Sequence, residues 1–210
     1  MTSVQKLDAF KQNEVCLGPV EGMYGGSGYK ASFSPTAHVC FPELRVPWKI
    51  EAQRYNGGNP NAKLALSITE ANPTVKQFVE FIDNMAIQYL NSKKKEFFPK
   101  KIKTAVEDLF VPSLKESGDG SFPPVFRAKM GVGSEGDADI ITTPCFNMTD
   151  KSIVDPNVML DKGALVNAVI QPSHVYVINN TAGVTWKVVR VGVTGFAEAE
   201  STTPVFDFGS

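Results

Sequence analysis

Gly183-Val184-Thr185-Trp186-Lys187-Val188-Val189-Arg190-Val191 is the stretch whose reading decides the fold. It is dominated by β-branched and aromatic residues and contains no proline, the composition of a strand. A period of two puts Trp186, Val188 and Arg190 on one face. It puts Thr185, Lys187, Val189, Val191 and Val193 on the other. Working upstream, Leu165–Ile170 and His174–Ile178 read as two further strands. Gln171-Pro172-Ser173 and Asn179-Asn180-Thr181-Ala182-Gly183 separate the three as turns, which makes a meander ending at Val193.

The N-terminal half repeats the pattern. From Tyr29 to Ile50, Leu44, Val46, Trp48 and Ile50 alternate with Glu43, Arg45, Pro47 and Lys49. Trp48 therefore falls with the core set, and Pro47 marks an edge or a bulge. Tyr55–Asn61 is a turn, and Lys63–Thr69 reads as the returning strand of a hairpin, with Leu64, Leu66 and Ile68 inward. Val125–Met130 is another strand, with Val125, Arg127 and Lys129 on one face and Phe126, Ala128 and Met130 on the other. Phe110–Gly120 reads as strand then loop, and Gly131–Asp139 as an acidic, glycine-rich, mobile loop.

One helix interrupts the strands. Val75, Phe78, Val79, Ile82, Met85, Ala86, Tyr89 and Leu90 recur at helical spacing, and Thr74 with Gln77 has the form of a capping box. The chain is thus mainly β with one inserted α-helix. Residues 1–28 read as a flexible leader ending in Met23-Tyr24-Gly25-Gly26-Ser27-Gly28. Residues 29–195 form the domain, and 196–210 an acidic–aromatic tail without lysine or arginine.

Charge and chemistry narrow the function. The 210 residues carry a net charge of -1, yet residues 93–103 hold six lysines against one glutamate, a local +5. That segment is either a solvated turn or a phosphate-contacting arm. Catalysis needs a positioned acid, base or nucleophile. The two histidines, His38 and His174, stand apart in strand-like, apolar surroundings, and no hydrolase or two-metal motif is present. Asp137 and Asp139 lack further ligands at calcium-site spacing. Cys16, Cys40 and Cys145 are odd in number and widely spaced, which speaks against a disulfide framework or a zinc site and for reduced thiols. The reading is a non-enzyme without cofactor or metal, with no secretory signal and no membrane-spanning run, placed inside the cell.

Several motifs occur in a fixed order. They are Pro42-Glu43-Leu44-Arg45-Val46-Pro47-Trp48, Phe78-Val79-Glu80-Phe81-Ile82, Phe122-Pro123-Pro124-Val125-Phe126-Arg127-Ala128-Lys129, Lys162 to Pro172, and Gly183 to Val191. Over residues 30–194 this series resembles the OB-fold single-stranded DNA-binding proteins of large eukaryotic DNA viruses, relatives of the replication protein of T-odd short-tailed phages. The resemblance implies a five-stranded OB barrel with extra strands and one long helix. It implies sequence-independent single-strand binding in viral DNA replication, recombination or repair, in the host nucleus or a cytoplasmic replication site. It also implies that the tail, here Phe206-Asp207-Phe208, meets replication partners.

A single strand is held by cations along its backbone and by aromatic faces under its bases. The phosphate candidates are Arg45, Lys49, Arg127, Lys129 and Arg190, with Lys93, Lys94, Lys95, Lys100 and Lys101 from the basic segment. The stacking candidates are Tyr55, Phe97, Phe98 and Trp186, the last either filling the barrel end or facing the strand. Open sheet edges leave room for a homo-oligomer. The rival reading is a virion structural or assembly protein built on the same β domain.

Overall fold

The computed structural model describes residues 4–10, 15–26, 28–34, 37–54, 58–99, 102–136 and 138–197. In chain order its strands are β1 (Val4–Lys6), β2 (Cys16–Gly22), β3 (Tyr29–Ser34), β4 (His38–Arg45), β5 (Lys63–Ser67), β6 (Phe110–Val111), β7 (Leu114–Lys115), β8 (Val125–Lys129), β9 (Val132–Glu135), β10 (Ala138–Ile141), β11 (Cys145–Asn147), β12 (Ala164–Ile178) and β13 (Thr181–Phe196). The helices are α1 (Pro73–Ser92) and three single turns, α2 (Lys94–Phe97), α3 (Val106–Leu109) and α4 (Pro156–Met159).

Five strands close on themselves. β4 pairs with β5, β5 with β8, β8 with β13, β13 with β12, and β12 returns to β4. Counted along the chain as barrel strands one to five, their order around the ring is one-two-three-five-four. This is the partly open Greek-key barrel of the OB type. Two seams are thin: Arg45↔Ser67 joins β4 to β5, and Lys187↔Lys129 joins β13 to β8, each through one residue pair. The interior holds Phe41, Leu44, Leu64, Leu66, Phe126, Val166, Ile170, Val191 and Val193, all buried.

The two long strands run past the barrel. The expected break at Gln171-Pro172-Ser173 does not occur, and β12 continues through it. The register slips there between Pro172 and His174, so Ser173 is an extra residue. The slip falls where β12 changes partner, from β4 (through Ile170) to β3 (from His174). Proline is tolerated at such a point because a bulge already interrupts the ladder.

A second slip corrects the face assignment of β13. Val169 faces Arg190 and Ile170 faces Val188, leaving Val189 unpaired. One extra residue inverts a period-two pattern. Trp186 and Val188 are therefore inside before the bulge, and Val191 and Val193 inside after it. Arg190 turns outward, away from the face it was expected to share with Trp186.

Other expectations change as well. The supposed leader contributes β1, parallel to β4, and β2, antiparallel to β3. Its glycines turn the β2–β3 hairpin: Gly25 and Gly26 sit at φ 73° and 68°, and the Met23 N–H donates to the Gly28 carbonyl at 2.8 Å. β5 pairs chiefly with β8 rather than returning along β4. Gly131–Asp139 is largely a hairpin of β9 and β10, not a loop.

α1 begins at Pro73 after Asn72, without a side-chain cap, so the expected Thr74–Gln77 box does not form. Proline's fixed φ suits the first helical position and starts the helix one residue early. Of the expected apolar stripe, Val75, Phe78, Val79, Ile82, Ala86 and Leu90 are buried, and Met85 and Tyr89 are partly buried. Phe78 on it meets the rings of Phe10, Phe41 and Trp186 at 4.8, 5.9 and 6.0 Å.

Candidate nucleic-acid interface

The outer face of β5 and β8 is cationic because of register. Lys63 of β5 lies opposite Lys129 of β8, and Lys129 lies opposite Lys187 of β13. Directly paired residues project to the same side, so three exposed lysines stand abreast across three strands. Like charges placed opposite one another cost stability. Lys63 records this: its ammonium is pushed below the usual lysine range by burial and by Lys129, Arg127 and Lys115 around it.

Two adjoining concavities of about 360 and 390 Å³ run over this face. Both are lined by Lys63 and Arg127. The first lies under the β4–β5 connection, with Trp48, Lys49, Glu51, Gln53 and Asn61. The second extends over β8, β12 and β13, with Lys115, Lys129, His174 and Tyr176. In an OB barrel the face of strands two and three, with the loop joining strands one and two, is where oligonucleotides lie. Here those parts are β5, β8 and residues 46–62.

Trp48 is the exposed ring of this groove. The chain leaves the ladder after Arg45, and the period-two alternation stops with it. Val46 and Ile50 stay buried, but Trp48 is 40% exposed and does not join the core as expected. The Arg127 guanidinium sits over it, 5.0 Å from the ring centroid. A guanidinium stacked on an indole places a cation and an aromatic ring side by side at the groove surface. The β4–β5 connection is tied down by the Gln53↔Asn61 bridge. It is also held by Arg54, which donates twice to Asp139 at 2.6 Å, across to β10.

The wall behind the groove is built on a buried polar chain. Trp186 Nε1–H donates to Ser113 Oγ at 2.7 Å. Ser113 donates through its hydroxyl and its backbone N–H to Asp83 of α1, at 2.6 and 2.8 Å. Burial pushes the Asp83 carboxyl up to about 6, against the pull of Ser113. This chain fixes the β6–β7 corner that carries Ser113 and Lys115 into the groove. His174 is not in apolar surroundings. Burial, with Lys129, Lys30 and Lys187 nearby, pushes its imidazole down to about 4.

The site residues expected from sequence divide. Lys49, Arg127 and Lys129 lie together in the groove. Arg190 lines a separate concavity with Phe146, Met148 and Lys151. Arg45 is half-buried, its Nε without a hydrogen-bond partner among the described residues, and it lines neither part of the groove. Lys93, Lys94 and Lys95 follow α1 and also line neither part, with Lys93 paired to Glu96 at 2.8 Å.

Two stacking candidates turn inward, and a third takes one of its two expected places. Phe97 and Phe98 are 1% and 6% exposed, because the chain turns at Lys93 and α2 folds both rings into the core. Trp186 is 3% exposed and edge-on to Phe126 at 5.1 Å, so of its two expected places it takes the barrel end, while also lining the second concavity. Tyr55, Lys100, Lys101, Phe206, Asp207 and Phe208 lie outside the described residues, as does Asp137.

Sequence reasoning missed Lys63, Lys115, His174 and Tyr176. The register that brings them together is not visible in any one strand. Among the described residues no group of three His, Cys, Asp or Glu side chains could hold a metal, and no helix is long and apolar enough to cross a membrane.

No protein-family model matches the chain, and no curated protein matches it. Among solved structures it is similar to gp2.5, a single-stranded DNA-binding protein encoded by bacteriophage T7. The TM-score is 0.54 at 12% identity, over 83% of this chain and 98% of that one. It is also similar to the single-stranded DNA-binding protein from bacteriophage Enc34, with a TM-score of 0.47 and 16% identity over 90% and 96% of the two chains. The same Enc34 protein in complex with single-stranded DNA gives a TM-score of 0.44 and 16% identity, over 88% and 98%. These structures come from phages, not from large eukaryotic viruses. At these identities the T7 likeness carries the fold alone.

Proposed function

We propose that this chain binds single-stranded DNA without sequence preference, through the groove over β5 and β8, and serves viral DNA replication, recombination or repair. The observation that carries the proposal is the row Lys63–Lys129–Lys187, continued by Arg127 stacked on the exposed Trp48. A folded chain of net charge -1 that sets three lysines side by side accepts a cost in stability, which a polyanion would relieve. Cations along a groove with an exposed ring beside them are what a backbone-tracking, base-stacking site requires. The T7 protein is described as single-stranded DNA-binding, which supports the reading. The chain is a non-enzymatic binder in this account, of the viral group in which phage proteins and those of large eukaryotic viruses are related.

The test is fluorescence anisotropy of a labelled oligo(dT) over a salt series, with duplex DNA and poly(U) as competitors. The proposal expects binding that weakens linearly in log salt and resists duplex competition. Equal competition by duplex would refute the single-strand assignment. Preferential competition by poly(U) would move the ligand to RNA. No binding by folded protein at low salt would favour the assembly reading.

A further inference from the structure

The groove contains a carboxylate that a polyanion-binding surface would not be expected to carry. Among the described residues lining its two parts, Lys49, Lys63, Lys115, Arg127 and Lys129 are cationic, and Glu51 alone is acidic. Glu51 is not turned away. Its Oε1 lies 3.0 Å from Lys49 Nζ, and both side chains are about half exposed, at 52% and 53%. The Lys49 ammonium is raised above its ordinary range, through the hydrogen bond and the charge of Glu51 and, to a smaller degree, the charge of Asp161 outside the groove lining.

We infer that Glu51 acts as a resident phosphate mimic, occupying Lys49 in the free protein and limiting the groove's affinity for single strands. The inference rests on the proposed single-strand site. Its chemistry is simple. A phosphodiester approaching Lys49 must displace a carboxylate that already satisfies that ammonium, and it meets the repulsion of the displaced charge. Neither contribution is large at an exposed site. An exposed ion pair contributes up to about 1 kcal/mol. Two like charges several ångströms apart in water repel by less than about 1 kcal/mol. Such a device tunes rather than blocks: the groove holds a strand tightly enough to cover it and loosely enough to release it. It also keeps Lys49 from retaining small anions between strands.

The experiment compares the wild type with Glu51→Gln and with Glu80→Gln, using oligo(dT) anisotropy from low to moderate salt. Glu80 pairs with Lys76 on the α1 surface, outside the groove, so its substitution makes the same change in net charge elsewhere. E51Q should tighten binding by about three- to tenfold at low salt. It should also steepen the slope of log affinity against log salt by about 0.7, one more phosphate contact on a single strand. E80Q should leave both quantities unchanged. In a Lys49→Ala background the E51Q gain should shrink, since no ammonium remains to be freed. Thermal midpoints of all variants report that the fold persists.

If the wild type binds with salt-dependent affinity and E51Q is unchanged or weaker, the mimic is refuted while the single-strand site stands. If E51Q and E80Q tighten binding equally, the effect is one of net charge, and the mimic is again refuted. If the wild type does not bind at all, the site itself falls and the mimic with it.

Discussion

Replacing Arg127 with alanine is the substitution whose consequence is most fully determined by the structure. Arg127 sits on the exposed face of β8, opposite Ala65, lines both parts of the groove, and covers Trp48 at 5.0 Å. One loss of affinity follows: a charge-assisted contact to phosphate contributes roughly 1.5–3 kcal/mol. The cation–π contact with Trp48 is already made in the free protein, so its loss bears on the placement of the ring and not directly on affinity. A net loss of about 2 kcal/mol corresponds to a roughly 30-fold weaker affinity. The log–log salt slope should become shallower by about 0.7. The assay is oligo(dT) anisotropy at several salt concentrations, with Arg190→Ala as the comparison. Arg190 lines a different concavity, so R190A should bind within about twofold of the wild type. Arg127→Lys should recover the slope but not the full affinity, since lysine keeps the charge and loses the planar stack. An R127A protein that binds normally, or an R190A protein that fails equally, would refute the placement of the strand over β5 and β8.

Further expectations concern the scaffold and its titration. Asp83 has a folded-state pKa near 6, above its ordinary value, so the folded protein holds the proton more tightly. The corresponding stability is present below about pH 4 and lost as pH rises through about 6, on the order of 3 kcal/mol. Denaturant titrations at several pH values should therefore show the wild type losing ground against Asp83→Asn across that window and running parallel above it. His174 is the opposite case. Its folded pKa near 4 is depressed, so its contribution to stability is full above about pH 6.5 and lost as pH falls toward 4. Phosphates beside Lys129 and Lys187 should raise its midpoint, measurable as a shift of the imidazole NMR titration when oligo(dT) is added. Gly28→Ala should destabilise by roughly 1–3 kcal/mol in thermal or chemical unfolding, because its Cβ would strike the Val177 carbonyl across the β3–β12 pairing.

The sequence carries the barrel more clearly than it carries the groove. Alternation in Val125–Met130 and in residues 63–69, together with the stripe along α1, is local information. Each maps onto a buried face as read. What escapes is whatever depends on a slip of one residue. The unpaired Val189 turns Arg190 outward, and the extra Ser173 lets β12 run through a proline. No composition rule marks either position. The basic segment after α1 attracts attention because its lysines are consecutive, yet its two phenylalanines are anchors of the core. The cations of the proposed site, Lys63, Lys129 and Lys187, are scattered over the chain and meet only through pairing. Trp48 falls with the core only if the strand period is extended past Arg45, where the ladder ends.

The most direct test of where the strand lies is photo-crosslinking with an iodouracil-substituted oligo(dT), followed by peptide mapping. Iodouracil couples to aromatic side chains in stacking contact. The account predicts crosslinks at Trp48, with Tyr176 as the second site along the groove. Crosslinks confined to the segment after α1 or to the Arg190 face, with Trp48 unmodified, would contradict it.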